Sequence, residues 1–296
     1  MSKGAYITIG LNKVDPESYG GWDGELKGCE NDARDMASIA KSVGAEGVTF
    51  LTDQATSGNV IKSLYDAASN LDTGDLLILS YSGHGGQVGD VTADEEDGCD
   101  ETWCLYDRQM IDDELYSMWS KFKPGVRILV FSDSCHSGTA VRYVFYESFA
   151  AAIESQKTAI QNIKPSEVGQ EGASLLLDSV QRTKAIPFKL SWEMYVKNKV
   201  FYDTLQFLTG PTEKAVIGAS VLLISGCQDN QLSGDGDDNG LFTWGLKRIW
   251  ADGAFKGNYF DFRKSIAAIL PPSQTPNYYT VGSPSLAFEA QTPFSV

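Results

Sequence analysis

Short apolar runs alternate with amphipathic stretches along the first half of the chain. Tyr6 to Leu11, Val48 to Leu51, Asp75 to Tyr81 and Arg127 to Ser132 predict strands, and the unbroken apolar cores Leu76 to Leu79 and Ile128 to Phe131 read as strands buried on both faces of a parallel sheet. Between them, Cys29 to Val43 carries Ala33, Met36, Ala37 and Ala40 at helical spacing and stops at Gly44. Thr56 is placed to cap a helix through Leu71, and Asp112 opens another to about Phe122. Strand and helix in strict alternation predict an α/β fold whose central sheet is mainly parallel and flanked by helices.

From Ser137 to Ala219 the periodicity loosens. Helical stretches at Val144 to Gln161, Ser174 to Thr183 and Asn198 to Leu208 mix with the breakers Pro165, Gly169, Gly172, Pro187 and Gly210-Pro211, so this part reads as an insertion. The regular pattern resumes with a strand at Val221 to Ser225, a loop from Gly226 to Gly240 and a helix from Leu241 to about Ala251. A helix near Tyr259 to Leu270 follows, then terminal strands at Tyr278 to Val281 and Ser285 to Glu289.

At 296 residues and 42% hydrophobic, the chain can bury a sizeable core, and no apolar run is long enough to span a membrane. No signal peptide is visible, and the five cysteines follow no framework spacing, so reduced thiols and a cytoplasmic location are expected. A net charge of −15 argues against nucleic acid and favours cationic peptides or metal cations. Seven carboxylates crowd between Asp90 and Glu101, with Asp107, Asp112, Asp113 and Glu114 close behind.

Two reactive side chains each follow a predicted strand. His84 lies in Tyr-Ser-Gly-His-Gly-Gly just after the run ending at Tyr81, and Cys135 lies in Asp-Ser-Cys-His-Ser-Gly just after the run ending at Phe131. Chemistry in parallel sheets gathers outside the carboxyl ends of the strands. With these strands side by side, imidazole would take the thiol proton and leave a thiolate nucleophile, a cysteine-hydrolase dyad. The polar neighbours Asp133, Ser134, His136 and Ser137 argue against a merely buried thiol, and His136 competes with His84 for the role of base.

These two motifs resemble the histidine and cysteine motifs of metacaspases and orthocaspases, within the caspase-like cysteine peptidases. Gly28-Cys-Glu-Asn-Asp-Ala33, the acidic run near Asp100, Ser225-Gly-Cys-Gln-Asp-Asn-Gln231 and Gln274-Thr-Pro276 extend the resemblance, leaving only about Arg142 to Ala219 unmatched. It implies a three-layer caspase-like peptidase domain over 1–296, with a large-subunit-like part at 1–140, an insertion or linker at 141–219 and a small-subunit-like part at 220–296. It also implies an endopeptidase in which Cys135 is the nucleophile, His84 the base and then the acid, and the N–H groups of Gly85 and Cys135 the oxyanion hole.

Specificity for Arg or Lys before the scissile bond is expected from Asp32 and Asp133 meeting beneath Cys135, with Ser82 lining the pocket by resemblance and Cys29 beside it. The alternatives are ordinary: Asp32 as a helix cap, Asp133 as a backbone anchor, or an animal-caspase pocket using Arg142 to take Asp. The resemblance implies calcium at Asp100, Asp112 and Asp113, but Arg142 replaces the fourth carboxylate. Asp235 to Gly240 mimics half an EF-hand loop and lacks its closing Glu, so a turn capping the next helix is expected there. No organic cofactor and a monomer are expected. A regulatory module with the site covered by residues 137–219, or a thiol hydrolase of non-peptide esters or amides, are the competing readings, and Lys157, Lys164, Arg182, Lys184 and Lys189 are candidate self-cleavage points.

Overall fold

The computed structural model describes residues 2–90, 99–134, 182–209, 216–227, 231 and 233–296. Cys135, His136, Arg142, the acidic stretch 94–97 and the helix predicted at Val144 to Gln161 lie outside the described residues.

The six-stranded sheet is built from β1 (Gly4–Gly10), β2 (Glu46–Leu51), β3 (Leu76–Ser82), β7 (Arg127–Asp133), β8 (Ser220–Ser225) and β9 (Asn277–Gly282), in the order β2-β1-β3-β7-β8-β9. All neighbours are parallel except β8 and β9. β3 and β7 are buried at every residue, as their unbroken apolar runs predict, and alternate residues face opposite layers. Ile78, Leu129, Phe131 and Leu222 pack beneath α1 (Cys29–Ser42), α6 (Leu241–Trp250) and α7 (Tyr259–Ile269). Leu77, Leu79, Ile128 and Val130 pack on the other side with Val60 and Leu64 of α2 (Ser57–Asn70) and Leu115 and Met118 of α3 (Asp112–Trp119). The result is three layers. Thr56 caps α2, its side chain accepting from the Asn59 N–H at 3.3 Å.

Three features depart from the sequence reading. A second sheet of β4 (Gly85–Gly89), β5 (Cys99–Cys104) and β6 (Gln109–Ile111) stands beside the first; its antiparallel strands are short, polar and Gly-rich, without the apolar period that marks a strand. Ser285 to Glu289, expected as a strand, is instead the short helix α8 (Leu286–Glu289), because the Ser285 hydroxyl accepts from the Phe288 N–H and the Phe288 ring packs edge-on to Tyr259. In the insertion, the helix expected from Asn198 is present as α5 (Lys199–Thr209), but α4 (Phe188–Lys197) was not foreseen. Pro187 stops nothing; it precedes the first turn of α4, where a missing N–H costs little. Arg182 and Thr183, expected at the end of a helix, are extended.

The parallel registers bring the site together. Gly10 pairs with Ser82, and Ser82 with Asp133, so three strand ends are level. A Cβ on Gly10 would collide with the Cys29 carbonyl, so glycine there lets the start of α1 press against the β1 end.

Candidate active site

His84 follows Ser82 by two residues in the sequence and Cys135 follows Asp133 by two; Ser82 and Asp133 themselves are register partners at the ends of β3 and β7. On the described side, the His84 carbonyl accepts from the Tyr81 hydroxyl at 2.7 Å and the Cys104 N–H at 2.9 Å, which fixes the turn. The ring is buried against Trp22, with centroids 4.7 Å apart. Its Nε2 lies 2.8 Å from the Gly24 carbonyl oxygen, which can only accept, so the proton of the neutral ring is assigned to Nε2. Nδ1 is buried and makes no hydrogen bond among the described residues. Burial pushes the imidazole down to about 4, with Lys184 adding to the effect and the Gly24 and Ala185 main chains opposing it. The ring is therefore neutral at pH 7, as a general base must be.

The backbone approaching Cys135 is equally constrained. Ser134 is fully buried, its carbonyl accepts from the Cys227 thiol at 3.4 Å, and its hydroxyl lies 2.9 Å from that of Ser132, which accepts from the Trp103 indole at 3.1 Å.

Asp32 and Asp133 do meet, and a cation already lies between them. Lys184 Nζ donates to Asp32 Oδ2 at 3.0 Å and to the Ser82 hydroxyl oxygen at 2.9 Å, and pairs with Asp133 Oδ2 at 3.0 Å, in a pocket closed to solvent. The carboxylates are held in turn. Asp32 accepts from the Ser82 hydroxyl at 2.6 Å, the Asn239 amide at 2.9 Å and the Gly240 N–H at 3.0 Å. Asp133 accepts from Ser233 at 2.6 Å and from the Thr243 hydroxyl at 3.0 Å. Burial alone would push the Lys184 ammonium down, but Asp133 and Asp32 outweigh it and hold it well above its ordinary value. Burial pushes Asp32 up to about 6; Lys184 opposes the rise and Asp133 reinforces it.

Asp32 is thus not a cap for α1, whose N-cap, Gly28, makes no side-chain cap bond. The cap-like role at that end belongs to Asp235, whose carboxylate accepts from the Lys27 N–H at 2.7 Å and the Gly28 N–H at 3.1 Å. The 235–240 loop therefore supports the start of α1 rather than capping α6, the helix that follows it, which has no side-chain cap. Cys29 is buried beside this pocket, its thiol 3.8 Å from Asp235 Oδ1; burial pushes it well above its ordinary range, so it remains a thiol.

Lys184 belongs to an extended segment laid through the crevice. Asp235 N–H donates to the Arg182 carbonyl at 2.9 Å, Lys184 N–H to the Ser233 carbonyl at 3.0 Å, Gly85 N–H to the Lys184 carbonyl at 2.9 Å and Ile186 N–H to the Gly85 carbonyl at 2.9 Å. The Lys184 carbonyl thereby faces Gly85, the expected oxyanion donor. Ser233, Thr243, Trp22 and Gly24 escaped the sequence reading because they stand in no reactive motif, and Asn239 and Gly240 enter it only as part of the 235–240 turn. Gln274 was noted only as part of a motif; its side chain accepts from Gly234 N–H at 3.1 Å and donates to Ser233 at 2.9 Å, which fixes the pocket wall.

The expected calcium ligands stand elsewhere, Asp100 on β5 and Asp112 and Asp113 at the start of α3. Among the described residues no three His, Cys, Asp or Glu side chains group as a metal site. No described helix is long and apolar enough to cross a membrane.

The chain has relatives among known proteins. The chain is similar to Metacaspase-1 of Emericella nidulans (29% identity, 80% of this chain, 60% of the relative) and to Metacaspase-1A of Aspergillus clavatus (30% identity, 80% of this chain, 56% of the relative). It spans about 60% of the length of the first of these curated relatives. Among solved structures, protein GSU0716 from Geobacter sulfurreducens is 47% identical with 99% of each chain covered and a TM-score of 0.83. Caspase-1 from Spodoptera frugiperda shares the fold at 11% identity, with 95% of this chain and 86% of that chain covered and a TM-score of 0.50. The caspase-domain family model (Peptidase C14) matches residues 9–284. This chain therefore belongs to the caspase-domain family of cysteine peptidases.

Proposed function

We propose that the protein is a cysteine endopeptidase that cleaves after Lys or Arg, and that the Lys184–Ala185 bond is its own first substrate. The observation that carries the reading is Lys184 itself: a buried ammonium between Asp32 and Asp133, with its carbonyl oxygen 2.9 Å from Gly85 N. In the reaction His84 Nδ1 takes the Cys135 thiol proton and the sulfur attacks the carbonyl carbon before Ala185. The oxyanion is held by Gly85 N–H and the Cys135 N–H, and collapse breaks the C–N bond as the imidazolium protonates the departing Ala185 nitrogen. Water, deprotonated by His84, then hydrolyses the thioester and returns the thiol.

The carboxylate pair favours a cationic peptide over a non-peptide ester, and the threaded segment favours an enzyme that is self-blocked until cut. A reducing compartment such as the cytoplasm is part of the proposal, since Cys29 and Cys104 are buried and in no disulfide. Calcium stays in the reading as an activator only, and a rate unchanged by EDTA removes it. The main test is mass spectrometry of the intact chain beside Cys135→Ala, followed by a lysyl-amide reporter. We expect a new amino terminus at Ala185 and reporter turnover in the wild type alone. A chain that neither cuts itself nor turns over reporter after nicking at Lys184 by an added protease sinks the peptidase reading in favour of a regulatory module.

A further inference from the structure

We infer that the crevice holds a second cation subsite, formed by Asp235 and Asp237, which selects Arg or Lys two residues before the cleaved lysine. The inference rests on the peptidase reading above and names its substrate class more closely: peptides of the pattern Arg-x-Lys.

In an extended segment, residues two apart point the same way, so a side chain two before Lys184 is carried along the same wall of the crevice. That wall is acidic. Thr183 pairs antiparallel with Gly234, and Asp235 N–H donates to the Arg182 carbonyl, so the Arg182 backbone is locked beside Asp235. Its guanidinium reaches Asp237 at 2.6 Å through NH2, and its Nε lies 3.8 Å from Asp235 Oδ2. Asp235 is fully buried and its carboxylate is oriented by the Lys27 and Gly28 N–H groups, which hold it facing the segment. Asp237 is half exposed and shared, taking Lys27 Nζ at 2.8 Å as well as Arg182. Lys27 and Arg182 together hold its carboxyl below the usual range. The Thr183 side chain alternates to the other side, so the subsite reads every second residue.

An exposed pair such as Arg182 with Asp237 contributes modestly, and the buried charge of Asp235 adds to it without a direct hydrogen bond, so a preference of roughly five- to tenfold is expected. Lys27 competes for Asp237, and removing it should sharpen the preference rather than weaken it.

The test compares kcat/KM for two reporters, acetyl-Arg-Thr-Lys-amide and acetyl-Gln-Thr-Lys-amide, on the full chain after its cleavage at Lys184. We expect the Arg reporter to be favoured roughly five- to tenfold, less so in high salt, with the ratio falling toward one in Asp237→Asn and rising in Lys27→Met. Equal turnover of both reporters by the wild type overturns the subsite while leaving the peptidase reading intact. A preference that persists unchanged in both Asp237→Asn and Asp235→Asn overturns the assignment to these residues. No turnover of either reporter is a failure of the peptidase reading itself.

Discussion

The Lys184 ammonium stands 3.0 Å from the Asp32 carboxylate with neither side chain open to solvent. Two charges taken out of water at such cost are held by each other and by Asp133, so removing one partner leaves the rest uncompensated. Lys184→Met, made in a Cys135→Ala background to prevent cutting, should lower stability by about 3–5 kcal/mol at pH 8. Without the ammonium, Asp32 should rise further above about 6, so protonation relieves the repulsion and the deficit shrinks at pH 5. Urea unfolding at the two pH values measures this, and an equal deficit at both would count against a charge origin.

Gly240 forms the floor of the same pocket. A Cβ there would stand on Lys184 Nζ and Asp133 Oδ2, closer than any van der Waals contact. Yet its backbone, at φ −62° and ψ 150°, is one that alanine adopts freely. Gly240→Ala should therefore keep the circular dichroism spectrum of the fold while losing self-cleavage and lysyl-reporter turnover. Gly58→Ala, whose added methyl meets nothing within 4 Å, is the matched control and should remain active.

Asp32 is not needed to cap α1, so its loss should be felt in recognition. Asp32→Asn keeps the shape and removes one of the two carboxylates around the Lys184 ammonium, and on the proposed specificity should cost roughly 100-fold or more in kcat/KM for lysyl reporters. Because the ground state makes the same contact, much of that loss should appear in KM. An unchanged KM with a collapsed kcat would place Asp32 in the chemical step instead.

The His84 ring should stay neutral down to about pH 4. An unfolded imidazole protonates near 6.5, so between 6.5 and about 4 acidification favours the unfolded chain through this residue. Asp32 acts in the opposite sense, since a carboxyl raised to about 6 binds its proton first in the folded chain and stabilises it as pH falls. Global stability mixes the two, so the ring itself is the better probe. The chain has two histidines, and in a His136→Gln variant the remaining imidazole can be followed by its nitrogen chemical shifts. Titration at or above 6.5 would contradict a buried, uncharged base.

Local pattern carried much of this protein. The apolar runs of β3 and β7, the helical spacing of Ala33, Met36, Ala37 and Ala40, and the glycine-flanked His84 are statements about neighbours in sequence, where periodicity and steric freedom act directly. The small sheet was hidden because β4 to β6 are stabilised by partners rather than by an apolar period; Arg108, for instance, grips Glu114 at 2.7 Å across the β6–α3 corner. The carboxylate pair was legible as residue types placed after strands. That Lys184 fills it was decided by tertiary structure alone, because the ammonium and Asp32 are 152 residues apart. Sequence names five basic residues in the insertion without ranking them, since each has the same intrinsic charge. Only the crevice, by matching one ammonium to two buried carboxylates and one hydroxyl, distinguishes Lys184 from the others.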